Sequence, residues 1–220
     1  MNKQIELNIG PISKKEQARL NQSRIFIAGC GGIGGYLVEY MTRVGIGHIV
    51  CADNDRFEES NLNRQLLADS TTIGCSKAHC AAERVHKICP QTDIRGLDVY
   101  LNSDNLPGLI DGADIVMDAL DNLPSRKILQ EACFNAGIAL AHGAAAGWRA
   151  QAAIVKPGMK LYDMLYSCEQ KPAEGILSFT AAAAASMQAA LAVKYLCGRH
   201  IENYLYILDL QTIEMDAIKF

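Results

Sequence analysis

A glycine-rich stretch near the start of the chain constrains its fold more than any other feature. The stretch reads Arg24-Ile-Phe-Ile-Ala-Gly-Cys-Gly-Gly-Ile-Gly-Gly35, an apolar run followed by a tight turn that contains Gly29, Gly31, Gly32 and Gly34. Backbone without a Cβ atom can approach a diphosphate closely, and the helix that follows offers N–H groups and partial positive charge at its N-terminus. The stretch predicts a nucleotide-binding βαβ unit. By itself it does not say which nucleotide chemistry the unit serves.

The bulk composition favours one intracellular domain. The 220 residues suffice to bury a single core, and no linker or repeat divides them, so we expect one domain over residues 1–220 with residues 1–20 as an N-terminal arm. The net charge of −3 argues against nucleic-acid binding. Residues 1–11 lack the pattern of a secretory signal, which favours the cytoplasm.

Two further patterns exclude other classes. None of the eight cysteines forms a Cys-x-x-Cys pair, so neither a disulfide framework nor a structural zinc site is expected. The 19 residues of Gly175–Val193 carry no charge, which is long enough to span a bilayer. Because this segment is rich in alanine and contains polar residues such as Gln188, it is interpreted as a buried helix packed on a sheet, with no membrane partner.

Strand and helix patterns alternate along the chain. The predicted strands are Arg24–Ala28, His48–Ala52, Ile94–Tyr100, Ile115–Asp118, Ile138–Ala141, Ala150–Val155, Tyr204–Leu208 and Thr212–Lys219. The predicted helices are Ile33–Val44, Ser76–Ile88, Asp104–Asp111, Ser125–Ala136 and Ala181–Leu196. This order predicts an α/β, Rossmann-like, doubly wound fold, with a mostly parallel sheet, helices on both faces and a late antiparallel strand pair. Ligands of such sheets bind beyond the carboxyl ends of the strands.

Two acidic residues follow the second predicted strand. Asp53 comes 19 residues after Gly34, a spacing at which a carboxylate can bind a ribose hydroxyl. A loop aspartate that caps a turn is the alternative, and the preceding glycines favour the ribose. Asp55 could equally contact the ligand or orient the segment Asn61–Arg64.

Two cationic side chains come after these acidic residues in the sequence. Arg64 lies in Ser60-Asn-Leu-Asn-Arg-Gln65, and Lys77 lies at the start of the next predicted helix. A guanidinium and an ammonium can bind the oxygens of a triphosphate, whereas a nicotinamide dehydrogenase has no use for them. Surface charge is the alternative, but after a glycine turn and a ribose aspartate the pair indicates ATP.

The fourth predicted strand ends in Asp118-Ala-Leu-Asp-Asn122. Asp121 could cap the helix that follows, or it could bind a Mg²⁺ ion that bridges phosphates, because Mg²⁺ usually takes one or two carboxylates plus substrate oxygens. The spacing favours neither helix capping nor Mg²⁺ binding. Both roles are also possible together, if one of Asp121 and Asn122 caps the helix while the other binds the ligand.

Together these motifs resemble the ThiF/MoeB/HesA family, the bacterial relatives of the ubiquitin-activating enzymes. The resemblance rests on the glycine turn, Asp53-Asn-Asp55, Ser60–Gln65, Lys77, and Asp118–Asn122 with Arg126, and it covers residues 17 to 215. It implies a homodimeric adenylyltransferase that uses ATP and Mg²⁺. The expected substrate is the C-terminal Gly-Gly carboxylate of a small ubiquitin-like sulfur-carrier protein, and the products are an acyl-adenylate and pyrophosphate.

The resemblance also assigns roles within the site. It implies that Asp53 binds the ribose, that Arg64 and Lys77 bind the triphosphate, that Asp121 binds Mg²⁺, and that Asn61 helps to position the phosphates. A carboxylate is ionised near neutrality and needs no general base, so fixed cations would supply most of the catalysis.

The chain departs from the family pattern in three ways. The Cys-x-x-Cys zinc ligands of many members are missing, so no zinc is expected. The N-terminal arm is short, and its single arginine, Arg19, lacks the context in which dimeric members supply an arginine to the partner's site. Where some relatives have a reactive thiol, the nearest candidate is Cys168, for which a plain free thiol is favoured over a nucleophile.

Two other functions remain open from the sequence. The same chemistry could act on a small-molecule carboxylate in cofactor biosynthesis. Alternatively, the chain could be a non-catalytic subunit that binds carrier or nucleotide, although the combination of Arg64, Lys77 and Asp121 argues against this.

Overall fold

The computed structural model describes residues 3–165 and 175–220, which form one sheet covered by helices. Its strands are β1 Arg24–Ala28, β2 His48–Ala52, β3 Asp93–Leu97, β4 Ile115–Asp118, β5 Ala139–Ala146, β6 Arg149–Val155, β7 Tyr204–Asp209 and β8 Glu214–Lys219. Its α-helices are α1 Lys14–Leu20, α2 Gly32–Val44, α3 Lys77–Ile88, α4 Leu106–Leu109, α5 Leu123–Ala136, α6 Leu161–Leu165 and α7 Ser178–Leu196. Short 3-10 turns lie at Lys3–Asn8 and Glu59–Asn61.

The sheet has the order β3-β2-β1-β4-β5-β6-β7-β8. Strands β3, β2, β1, β4 and β5 are parallel, whereas β6, β7 and β8 each run antiparallel to their neighbours. The predicted Rossmann-like fold, with its late antiparallel strands, is confirmed. Strand β5 extends five residues beyond its predicted end at Ala141 because it pairs with β6 in a hairpin, joined by Gly147 and Trp148.

Alternate residues of the central strands belong to two separate apolar layers, one on each face of the sheet. Ile25 and Ile27 of β1 pack on the side of α2, α3 and α7, while Phe26 and Ala28 pack on the side of α4, α5 and α6. Side chains of a strand point alternately to opposite faces, so a strand covered on both faces reads as a continuous apolar run. This explains why the sequence predicts β1, β2 and β4 to the residue.

Helix α7 is the predicted alanine-rich helix and packs on β5, β6 and α2. Ala181, Ala184 and Ala185 are at most 1% exposed, so the small side chains allow the helix to lie close to the sheet. Gln188 is also buried and donates hydrogen bonds to the carbonyls of Asp118 and Ala141. No helix among the described residues is both long and apolar enough to span a membrane.

The N-terminal segment contains helix α1 and packs against the rest of the structure. Ser13 and Glu16 form a capping box at the start of α1, and Leu20 at its end is fully buried. Glu16 also forms an ion pair with Arg199, with Nε to Oε1 at 2.6 Å. Arg19 lies against Gly198, and it is not among the residues that line the main cleft.

Strand β3 and helix α4 also end at other residues than predicted, and strand β8 begins at Glu214 where Thr212 is predicted. Strand β3 ends at Leu97 and not at Tyr100, so residues 98–101 form a loop. Helix α4 covers only Leu106–Leu109, because Asn102 and Asn105 hold the chain before it in hydrogen-bonded turns.

The glycine turn joins β1 to α2 by a close contact between backbone segments. Gly29 has a φ of +95°, a left-handed conformation that favours glycine. A Cβ atom on Gly34 would lie 2.0 Å from the carbonyl oxygen of Gly29, so only glycine fits where the first turn of α2 passes the end of β1.

We predict that Gly34→Ala destabilises the protein, because neither backbone segment can move away without breaking the turn. The free energy of unfolding should fall by about 2–3 kcal/mol, the upper range for overpacking. Gly108→Ala in α4 is the matched control, since its Cβ would meet no atom within 4 Å. Equal urea midpoints for the Gly34→Ala variant and the wild type would contradict the close contact.

Candidate active site

A cleft of about 430 Å³ lies beyond the carboxyl ends of β1, β2 and β4. It brings together nine of the predicted site residues: Gly29, Gly31, Gly32, Asp53, Asp55, Arg64, Lys77, Asp121 and Asn122. Gly34 and Asn61, also predicted as ligand contacts, are not in its lining. Gly34 instead provides the close contact described above. The parallel strand order explains the convergence, since it places the loops after these strands at one edge of the sheet.

The first turn of α2 forms one wall of the cleft. Its N-cap is Gly31, and no side chain caps the turn. The first N–H groups of an α-helix have no partner within the helix, so this turn offers donors to an anion. This wall therefore offers the backbone N–H donors that a phosphate site requires.

Asp53 links this turn to the end of β2. Its carboxylate accepts hydrogen bonds from the N–H groups of Cys30 at 2.7 Å and Asp55 at 2.8 Å. Burial raises the pKa of Asp53 in spite of these hydrogen bonds and the nearby Lys77. Each carboxylate oxygen keeps a second lone pair, so the bracing contacts leave acceptor capacity for a ribose hydroxyl.

Lys77 is a buried cation at the first position of α3. Only 8% of its side chain is exposed, and its Nζ lies 3.0 Å from Oδ2 of Asp55, whose side chain is 60% exposed. The observed partner of Asp55 is thus Lys77 and not the segment Asn61–Arg64. The pair fixes an ammonium at the edge of the cleft.

Arg64 is held on the loop before α3. Its Nη1 donates to the carbonyl of Ser60 at 3.1 Å and to Oδ1 of Asn63 at 2.9 Å. Asn61 is buried beneath this loop, where its Oδ1 accepts from the N–H of Glu58 and its carbonyl accepts from the N–H of Arg64. Asn61 therefore shapes the turn that carries Arg64.

Of the two roles that the sequence left open, the structure gives the helix-capping role to Asn122. Asn122 is the N-cap of α5, because its Oδ1 accepts a hydrogen bond from the N–H of Ser125 at 3.0 Å. Asp121 is exposed in the cleft, and Nδ2 of Asn122 donates to its Oδ1 at 3.2 Å. Asp121 is thus the residue whose carboxylate remains available to a cation.

A buried polar cluster lies behind Asp121, and the sequence does not predict that its members come together. Asp118 is fully buried at the end of β4, with Arg126, His142 and Tyr162 around its carboxylate. Burial raises the pKa of Asp118, but these neighbours outweigh that effect and hold the pKa below its usual value. Burial lowers the pKa of His142, which favours the neutral ring. The available signals were a charged residue at the end of an apolar strand and the place of Asp118 and Arg126 in the family motif.

Two predictions about ligands stay open at this point. Cys168 lies outside the described residues. Within residues 3–165 and 175–220, no group of three His, Cys, Asp or Glu side chains could hold a metal ion. Any Mg²⁺ at Asp121 would thus need oxygens from its substrate, as this ion usually does.

The sequence model of the ThiF family matches residues 2–220. The chain belongs to the ThiF family. This confirms the resemblance deduced from the glycine turn, Lys77 and Asp118–Asn122. The ThiF family chain is 29% identical over 221 residues to the SAMP-activating enzyme E1 of Haloferax volcanii, with 96% of the chain and 81% of that relative covered. It is 32% identical over 220 residues to the sulfur carrier protein ThiS adenylyltransferase of Bacillus subtilis.

Solved structures show the same fold. A crystal structure of E. coli MccB with ATP has a TM-score of 0.78 and 21% sequence identity, and covers 93% of this ThiF family chain. The chain spans 65% of that protein and 65% of the B. subtilis relative, so both have segments without a counterpart here. At this identity the structural likeness establishes the fold alone.

Proposed function

We propose that this ThiF family chain uses ATP to adenylate a carboxylate. The observation that carries the proposal is the grouping of a glycine turn, two cations and an exposed carboxylate around one cleft. Lys77 is buried and fixed by Asp55, and Arg64 is held by its own loop. A buried ammonium is costly unless it is paired with negative charge, which Asp55 supplies here and the phosphates of a bound nucleotide would add to.

The reaction that these residues support is a displacement at the α-phosphorus of ATP. A carboxylate oxygen attacks the phosphorus, the bond to the bridging oxygen breaks, and pyrophosphate leaves with the electron pair. Both reactants are anions, so Lys77 and Arg64 would lower the barrier by neutralising charge on the phosphates. A carboxylate is ionised near neutral pH, so the absence of a general base from this set of residues is no obstacle.

The donor set also suits Mg²⁺. Asp121 offers one exposed carboxylate at the edge of the cleft, and Mg²⁺ typically takes one or two carboxylates with substrate phosphates and water. When bound there, the ion would screen the charge of the phosphates. Asn122 holds the Asp121 carboxylate through its side-chain amide, which restricts the rotamers of Asp121.

For the substrate we favour the C-terminal Gly-Gly carboxylate of a small ubiquitin-like sulfur-carrier protein. The name of the B. subtilis relative describes adenylation of a sulfur carrier protein, ThiS. The cleft lining includes Ala145 and Ala181, small residues that suit a chain end without side chains, and Ala181 lies against Gly32. A homodimer, which follows from the family resemblance, and a cytoplasmic location, which follows from the sequence pattern, remain predictions.

The substrate is tested by ATP–pyrophosphate exchange with the purified protein. We expect exchange with a carrier that ends in Gly-Gly and none with the same carrier carrying a C-terminal amide, which lacks the attacking oxygen. Exchange with small carboxylic acids alone would favour the small-molecule alternative. Absence of exchange with every carboxylate, while ATP still binds, would indicate a non-catalytic subunit and contradict the proposal.

Lys77→Met should lower kcat/KM for this exchange about 100-fold or more, because it removes a cation preorganised for the phosphates. The fold should be retained, since the freed Asp55 carboxylate is solvated. Lys87→Met is the matched control, because Lys87 lies on the same helix with 73% of its side chain exposed. Equal activities of the two variants would rule out a role for Lys77 in catalysis.

A further inference from the structure

The buried polar cluster contains a directed chain of hydrogen bonds. The hydroxyl of Tyr162 in α6 donates to Oδ2 of Asp118. His142 Nδ1 lies 3.0 Å from the same hydroxyl oxygen. Because the Tyr162 proton is directed to Asp118, Nδ1 of His142 must carry the proton in the second hydrogen bond. The chain runs from β5 through α6 to the end of β4, and we call it the Asp118 relay.

The Asp118 relay ends on the backbone that precedes Asp121. Oδ1 of Asp118 accepts a hydrogen bond from the N–H of Leu120 at 3.0 Å. Nε of Arg126 donates to the carbonyl of Leu120 at 2.9 Å, and its Nη2 donates to the carbonyl of Gly143 at 3.1 Å. Both polar groups of one peptide segment are thus held by buried charges, directly before the residue whose carboxylate faces the cleft.

Stability alone is a poor explanation for this arrangement. Desolvating a carboxylate and a guanidinium costs several kcal/mol per ion, and apolar residues of similar volume often stabilise a core equally well. Asp118, His142 and Tyr162 are completely buried in an otherwise apolar layer. The hydrogen bonds of the relay fix the orientation of the turn Asp118–Asn122. Apolar contacts cannot do this, because they have no preferred direction.

We propose that Tyr162 is a positioning residue that acts through Asp118 and Leu120 to hold the Asp121 carboxylate at the metal and phosphate side of the cleft. The inference rests on the proposed function, since it assumes that Asp121 takes part in binding Mg²⁺–ATP. The dependence of the backbone of residues 120–121 on a hydroxyl group in α6 can be tested without the proposed function.

The test compares Tyr162→Phe with Tyr206→Phe, in which a hydroxyl is removed from β7, away from the relay. Tyr162→Phe keeps the ring and its packing, so we expect the variant to fold. Its half-saturating Mg²⁺ concentration in ATP–pyrophosphate exchange should rise about tenfold, the lower end of the effect of removing an outer-sphere partner of a metal ligand. ATP affinity measured without Mg²⁺ should stay unchanged. Tyr206→Phe should match the wild type in both measurements.

A second readout does not depend on catalysis. Hydrogen exchange of the Leu120 amide should accelerate in Tyr162→Phe, because the Asp118 acceptor loses the donor that fixes it, while amides elsewhere in β4 keep their protection. A lower melting temperature with unchanged Mg²⁺ dependence and unchanged Leu120 exchange would overturn the proposal and leave Tyr162 with a structural role. If the wild type catalyses no exchange, the proposed function fails, and the Leu120 amide and Mg²⁺-dependent ATP binding still decide whether Tyr162 positions the turn.

Discussion

The close contact between the first turn of α2 and the end of β1 is the constraint on which the site depends. Gly34 lacks the Cβ atom that would meet the carbonyl of Gly29, and the backbone of Cys30 is tied to Asp53 at the end of β2. The turn, β1 and β2 therefore hold one another in place. Because β4 is the other neighbour of β1, the loop that carries Asp121 meets the same edge of the sheet.

Burial governs the electrostatics of the site. Lys77 and Asp118 are largely removed from water, and each is paired, one with Asp55 at the cleft and the other with Arg126 behind it. Interactions between charges are stronger where water is excluded, so the site can hold fixed cations against a polyanion without reorganising. Asp121 is exposed in the same cleft, which the largely buried Arg126 also lines.

The sequence predicts the strands that are apolar on both faces and the residues that lie directly after them. It does not predict which residues of a loop contact the cleft. Asn61 and Gly34 belong to the predicted site motifs, but they support the cleft from behind and do not line it. The Asp118 relay was beyond its reach, because Tyr162 and His142 lie 44 and 24 residues from Asp118 and meet it only through the packing of α6 and the pairing of β4 with β5. Helix α4 was predicted too long because local asparagine turns compete with helical hydrogen bonds.

The central claim is that the cleft at the glycine turn binds ATP through its phosphates. A crystal structure with a non-hydrolysable ATP analogue and Mg²⁺ tests this most directly. The account predicts the triphosphate along the turn Gly29–Gly34, with phosphate oxygens about 3 Å from the Lys77 ammonium and the Arg64 guanidinium. A nucleotide bound elsewhere, or one bound in the cleft with its phosphates directed away from both cations, would contradict it.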